Sequence, residues 1–330
     1  MTTQRFDIGP YQPGEEDRIV STFEQVFQNR RPVSAWRWQH LQNPAGTQIF
    51  VARAADSTIA SQFAGVPRRT RIGAEVVTFS EIVDSFTHPD FRRGLQRTGL
   101  FVKTATPFVE HYGRPDRNVV MYGLPNPEAW RIGQRFIGYT PIDDDMLPLL
   151  AAPTGDLGAP DPECGEEVRA APVDRFSGDA DWLDSALEQR HEISTVRDAT
   201  YLNWRYAEHP AIDYDLVEAR ECDGKLLAAV AMHHGWCGEP VSLICDAILR
   251  PHPAFPGLLR YLRARAAAAG SREVRVLLRP HTVEYAALAD LGWTPQPSHF
   301  RLVCGVYRED VTVARLRERW HVTLGDFDVC

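Results

Sequence analysis

Trp36-Arg37-Trp38, followed by Asn43-Pro44, has a counterpart in Trp204-Arg205-Tyr206, followed by His209-Pro210, and each precedes a hairpin pattern. A second pair, Gly138-Tyr139 and Gly292-Trp293, closes a helix pattern that follows a short strand in each half. The same order of elements therefore runs twice, with a period of roughly 150 residues. A repeat of that length has the size of a domain, not of a solenoid unit. The 330-residue chain is accordingly expected to form two α/β domains, each with a central mixed, mostly antiparallel sheet flanked by helices. The expected domains are 1–150 and 166–330, joined by a linker over 151–165 that is rich in proline, glycine and small residues.

The first half reads as a strand over 5–11, a helix with Ile19, Phe23, Val26 and Phe27 on one face, and a short helix carrying Trp36, Trp38 and Leu41 that Pro44 terminates. A hairpin over 49–66, a long strand over 76–86, a helix over 98–112, a strand over 118–123 and a helix over 126–137 follow. The second half has a hairpin turning at Asp223-Gly224, a strand over 241–249, helices over 256–269 and 283–291, and a last strand over 300–307.

The strand over 76–86 leads into His88-Pro89-Asp90-Phe91-Arg92-Arg93-Gly94-Leu95-Gln96-Arg97-Thr98-Gly99-Leu100-Phe101, and a helix pattern leads out. A strand, a basic glycine-bearing turn and a helix start make an anion site. Unpaired backbone N–H groups and the helix dipole point at the ligand, and arginines add charge-assisted hydrogen bonds. Downstream, Tyr122-Gly123-Leu124-Pro125-Asn126 opens another helix. Together these elements suggest a pyrophosphate of CoA type and therefore acyl transfer.

A net charge of −8 and a pI near 5.8 disfavour a nucleic-acid partner. No apolar run approaches the ~20 residues that span a bilayer, so no membrane partner is expected. The first residues lack the apolar core of a secretory signal, and the six cysteines show no paired spacing. A cytoplasmic protein with reduced cysteines is expected. His233, His234 and Cys237, with Cys222 and Cys245, match no zinc spacing, so no metal is expected. G-x-S-x-G, phosphate-loop, H-E-x-x-H and G-x-G-x-x-G motifs are absent. Monomer and homodimer both stay open.

These elements and motifs, over nearly the whole chain, resemble the GNAT acetyltransferase superfamily in its tandem two-domain form. Gln96-Arg97-Thr98-Gly99-Leu100-Phe101 is similar to the family's Q/R-x-x-G-x-G/A turn, with Phe101 where a small residue is usual. A register starting at Arg93 would instead put Gln96 and Thr98 at the two glycine positions. The resemblance implies that residues Gln96, Arg97, Thr98, Gly99, Leu100 and Phe101 hold the pyrophosphate of acetyl-CoA or another acyl-CoA. It also implies that a backbone N–H of Ser85, Phe86 or Thr87 meets the oxyanion. Asn126 would cap the family's fourth helix, or cap it and also touch pantetheine. The second half offers Arg250-Pro251-His252-Pro253-Ala254-Phe255-Pro256-Gly257 at the turn's place, and its prolines remove amide donors. It reads as a degenerate domain that supports the first.

Acyl transfer to an amine also needs a base, because an alkylammonium has a pKa of ~10. Glu81 and Asp84 lie in the strand feeding the turn, three residues apart, so alternation expects them on opposite faces. Glu81 resembles the family's general base; Asp84 could hold the acceptor's ammonium. The family's thiolate-protonating tyrosine falls here at Gly133, leaving Tyr122 as the nearest replacement and Tyr139 as a core aromatic. Trp36, Trp38 and Trp130 could line an acceptor cleft, though packing explains the Trp-Arg pairs. No cysteine lies near the turn in sequence to carry an acyl group, so a small-molecule amine is expected to attack the thioester directly.

Three alternatives accompany this reading. The donor could be an acyl carrier protein or a longer acyl-CoA. The chain could sense acyl-CoA without turnover. It could also be a structural or assembly protein that binds no CoA.

Overall fold

The computed structural model describes residues 5–92, 99–165 and 167–329. The first half runs β1 (Asp7–Pro10), α1 (Glu16–Phe27), α2 (Val33–His40), β2 (Gln48–Arg53), β3 (Ile59–Ile72), β4 (Glu75–Thr87), α3 (Leu100–Tyr112), β5 (Asn118–Gly123), α4 (Pro127–Phe136) and β6 (Thr140–Pro141). Then come β7 (Leu149–Pro153), β8 (Glu163–Gly165), β9 (Val168–Pro172), α5 (Ala180–Glu188), β10 (Ile193–Thr195), α6 (Ala199–Leu202), β11 (Asp215–Glu221) and β12 (Leu226–His234). The chain closes with β13 (Val241–Leu249), α7 (Phe255–Ala268), β14 (Glu273–Leu277), α8 (Val283–Asp290), β15 (Thr294–Gln296), β16 (Val303–Val306), α9 (Val313–Arg319) and β17 (Trp320–His321).

Two units emerge: Met1–Arg69, Val76–Asp144 and Arg301–Leu316 form one, and Thr70–Glu75, Asp145–Phe300 and Arg317–Cys330 the other. The first contains a sheet of order β1-β2-β3-β4-β5-β16-β6, the second a sheet of order β15-β7-β14-β13-β12-β11-β9-β8. Along these two orders, β4 with β5 and β13 with β14 are parallel neighbours. The connecting helices α3 and α7 make the crossovers that parallel neighbours require. The repeat also shows in the glycines that follow α4 and α8: Gly138 and Gly292 adopt φ values of 85° and 84°, a left-handed helix end suited to glycine.

The boundaries expected at 150 and 166 do not separate these units. β16, from the far end of the chain, lies between β5 and β6 in the first sheet. β7, from the first half, lies between β14 and β15 in the second. Each sheet is thus completed by a strand from the other half of the sequence. The expected linker is corrected accordingly: its start is β7, whose Leu149, Leu150, Ala151 and Ala152 are all buried, as in a strand covered on both faces. Its end is β8, paired with β9.

In the first unit, α1 and α2 cover one face of the sheet, where Ile19, Val20 and Trp36 pack on Ile49, Val51, Ile59, Ala64 and Phe86. Helix α3 covers the other, where Ala105 and Phe108 pack on Phe50, Phe63 and Met121. In the second unit, α7 and α8 pack Leu258, Leu259, Leu262 and Leu288 against Val230, Ile244, Val274 and Val276. A buried ionic network fastens its C-terminal segment: Arg197 holds Asp246 at 2.7 Å and Asp326 at 2.8 Å.

Candidate active site

Strands β4 and β5 run side by side only as far as the Glu81–Tyr122 pair. Beyond it β4 continues to Thr87 while β5 ends at Gly123. The departure coincides with Asp84, whose φ of 49° is left-handed, a conformation aspartate tolerates better than most residues. Ile82 packs on the α3 side, yet Phe86 packs on the α1/α2 side. Strict alternation would have put these two even-numbered residues on one face, so the irregular backbone inverts it. Glu81, opposite Ile82, and Asp84, which touches α2, therefore share the α1/α2 face. The expectation that they face apart is overturned by this one residue.

On that face a buried polar row crosses the sheet. Arg68 of β3 stands 3.0 Å from Glu81 of β4, and its guanidinium donates to the Tyr122 hydroxyl of β5 at 3.2 Å. Cys304 of β16 is paired in register with Tyr122, so the fold brings a cysteine to the row that sequence distance hid. Burial, with the Asp143 charge adding, pushes its thiol up to about 12. The thiolate is the nucleophilic form, and this thiol stays protonated near neutral pH.

Asp84 is the hub of a second cluster. Its carboxylate accepts from Arg31 and, at 2.9 Å, from His40 Nε2. Burial alone would raise its pKa, but the Arg31 charge and the His40 hydrogen bond outweigh it and hold the group at about 2. His40 packs against Trp36 with ring centroids 5.1 Å apart. Arg31 also reaches Gln39. Asp84, expected to hold the acceptor's ammonium, thus already holds two basic side chains.

On the donor side, Gln96, Arg97 and Thr98 lie outside the described residues. Gly99 immediately precedes α3 in extended conformation, and a Cβ added there would meet nothing within 4 Å. Leu100 is buried beside Ala52, Ala54 and Ala60. Phe101 turns into the core against Phe63, centroids 5.6 Å apart, which accounts for a large residue at this motif position. Of the segment expected to meet the oxyanion, the Ser85 hydroxyl donates to the Val83 carbonyl at 3.1 Å and Phe86 sits in the core. Thr87 lies 3.1 Å from the Ser61 hydroxyl. Asn126 caps α4 by accepting from the Ala129 N–H at 2.8 Å. Tyr139 packs directly against Gly133, where an added Cβ would come within 2.0 Å of its ring. Trp36 and Trp38 are buried, and Trp130 carries Arg301 over its ring at 5.5 Å.

Sequence reasoning missed Arg31, His40 and Arg68. The first two reach Asp84 across 53 and 44 residues, and no local pattern announces such contacts. Arg68 had a faint signal, a cation directly after an apolar strand. The hairpin was expected to end at Val66, whereas β3 runs to Ile72.

The second unit has the same splay with different chemistry. Its parallel pairing ends at Ile244 and Val276, which pack toward α7 and α8, whereas Glu81 and Tyr122 face away from α3. The first turn of α7 is closely packed, since a Cβ on Gly257, its third residue, would fall 1.7 Å from the Cys164 carbonyl oxygen. His234 is held by Ser242 and Asp215, which accounts for it without a metal ligand role.

Neither a family model nor a curated protein matches the sequence. Solved structures do match the fold. A protein of unknown function from Enterococcus faecalis, described as a probable N-acyltransferase, superposes with a TM-score of 0.67 at 13% identity, covering 92% of this chain and 73% of its own. A GCN5-related N-acetyltransferase from Anabaena variabilis gives 0.63 at 13% identity, with 92% and 73% covered. Saccharomyces cerevisiae N-myristoyltransferase with bound myristoyl-CoA gives 0.59 at 10% identity, with 93% and 85% covered. Among the described residues no helix is long and apolar enough to cross a membrane. The chain has the fold of the GCN5-related N-acetyltransferases, with two mixed sheets flanked by helices.

Proposed function

We propose that this chain transfers an acyl group, with acetyl as the first candidate, from CoA to a small-molecule amine, and that the first unit does the chemistry. One observation carries the assignment to that unit. At the splay of β4 and β5 the first unit gathers Glu81, Tyr122 and Arg68 in one buried row, a set of groups that can take up and return protons. The open space at Gly99, immediately before α3, supports the same choice.

In this reading the thioester lies along the edge of β4 that β5 leaves unpaired beyond Glu81. The turn before α3 receives the pyrophosphate, and a backbone N–H of the 85–87 segment stabilises the oxyanion. Glu81, oriented by Arg68, takes the acceptor's proton, directly or through one water. Tyr122, hydrogen-bonded to the same guanidinium, returns a proton to the departing thiolate. The Arg31–Asp84–His40 cluster fixes the irregular segment of β4 on which the geometry depends. The protonated Cys304 thiol favours direct attack over a covalent acyl-enzyme.

Calorimetry with acetyl-CoA and with a long-chain acyl-CoA, followed by thiol release over an amine panel, tests the proposal. Binding with amine-dependent thiol release is expected. Binding without release from any amine would favour a sensor, and no binding of either donor would remove the proposal.

A further inference from the structure

We infer that His191, Glu284 and His321, in the second unit, form a binding site for one divalent transition-metal ion of zinc character. The inference does not depend on the acyl-transfer reading. It reverses the expectation from sequence that the chain binds no metal. Sequence spacing could not suggest it, because the three residues come from separate segments: after α5, in the first turn of α8, and in β17. Folding brings one ligand atom of each within 4.8 Å of the others.

Unmet bonding at the cluster carries the argument furthest. His321 is 2% exposed, and neither of its ring nitrogens has a hydrogen-bond partner. Glu284 accepts from Arg190 at 2.8 Å and from His191 at 3.1 Å through Oε1, while the buried Oε2 has no hydrogen-bond partner. A buried polar group without a partner is costly, so a site that keeps several needs something to complete it. An imidazole pair and a carboxylate are a donor set suited to zinc. Arg190 on Oε1 then acts as an outer partner that orients the ligating carboxylate.

The two imidazoles stack with centroids 4.1 Å apart and planes 21° from parallel, so one ring must turn out of the stack for both in-plane lone pairs to meet one ion; metal–nitrogen bonds near 2.0–2.1 Å then set the ligand atoms about 3.3 Å apart. Glu284 and His321 also line an apolar cavity of about 40 Å³, enough for the water that fills a fourth coordination position. The ion would join β17 to α8 and to the segment after α5, clipping the C-terminal segment onto its unit.

The test uses the untagged full-length chain carrying Cys222→Ser and Cys237→Ser, which removes two exposed thiols, stripped with EDTA and titrated with zinc chloride. One equivalent should bind with Kd below about 1 µM, with a rise in Tm. Cobalt(II) should give a visible ligand-field band at the same stoichiometry. Glu284→Gln keeps the side-chain volume and should weaken zinc at least tenfold while the far-ultraviolet spectrum stays unchanged; His321→Asn should abolish the cobalt band. Substoichiometric binding, or equal affinity in Glu284→Gln, overturns the inference and leaves the cluster to an ordinary buried water.

Discussion

The Arg68 guanidinium stands 3.0 Å from the Glu81 carboxylate, with both side chains nearly sealed from solvent. Two charges so placed are stable only as a pair, because each alone bears the full cost of desolvation. The same guanidinium reaches the Tyr122 hydroxyl, so the candidate base and the candidate acid hang from one cation.

Removing that cation should be expensive. Arg68→Met leaves the Glu81 carboxylate buried without its partner and should cost about 3–5 kcal/mol in urea unfolding. The double variant Arg68→Met/Glu81→Gln should recover much of that loss, since it strands no charge. If the double variant is as destabilised as the sum of the singles, the pair is not coupled.

Glu81→Gln alone should leave acyl-CoA affinity intact and lower kcat by about 10²–10⁴, the range for losing a positioned general base. The loss should be largest at lower pH, where the amine is most fully protonated. Calorimetry and a pH–rate profile give the two readouts, and an unchanged kcat removes Glu81 from the mechanism.

Asp84 makes a prediction about acid stability. Its pKa is depressed from 3.8 to about 2 in the folded chain, where the Arg31 charge and the His40 hydrogen bond overcome burial. A group depressed on folding contributes fully above its unfolded pKa and loses that contribution as pH falls through the folded value. The contribution, about 2 kcal/mol, should therefore be present above pH 4 and vanish toward pH 2. Asp84→Asn should be less stable than the parent at pH 6, with the gap narrowing below pH 4. A constant gap in denaturant melts across that range would contradict the assignment.

The elements of the fold were legible where periodicity is local. Strand β5 and the helix opened by Asn126 sit where side-chain pattern and capping chemistry placed them. What the pattern could not carry was the partner of each strand. Residues Val303–Val306 read correctly as a strand, but nothing in their alternation says that they join β5 and β6 rather than the second sheet. The apolar run at Leu149 looked like the edge of a linker because its neighbours are prolines and glycines, yet β14 and β15 take it in. At the candidate site, Glu81 and Tyr122 were nominated from their place near the turn, and the structure pairs them across β4 and β5. The shared face of Glu81 and Asp84 was not, because it depends on one left-handed residue that sequence does not mark.

Gly99→Asp separates ligand loss from folding loss. A side chain at this position meets nothing within 4 Å, so Tm should change by no more than about 2 °C. The added carboxylate would face the CoA pyrophosphate, and like charges there should abolish measurable acyl-CoA binding. Retained affinity would move the pyrophosphate elsewhere.

Gly257→Ala is the mirror experiment in the second unit. Here an added Cβ would fall 1.7 Å from the Cys164 carbonyl oxygen, and backbone cannot yield as a flexible side chain can. Helix α7 must move away from β8, an overpacking that should cost about 1–3 kcal/mol or more in thermal or urea unfolding. If the second unit binds no acyl-CoA at this turn, affinity for the donor should be unchanged at temperatures where the variant is folded. The paired result, Gly99→Asp losing ligand without stability and Gly257→Ala losing stability without ligand, would show that the start of α3 seats the ligand while the first turn of α7 is a packing joint. Loss of acyl-CoA binding in folded Gly257→Ala would instead mean that the second unit takes part in holding the donor.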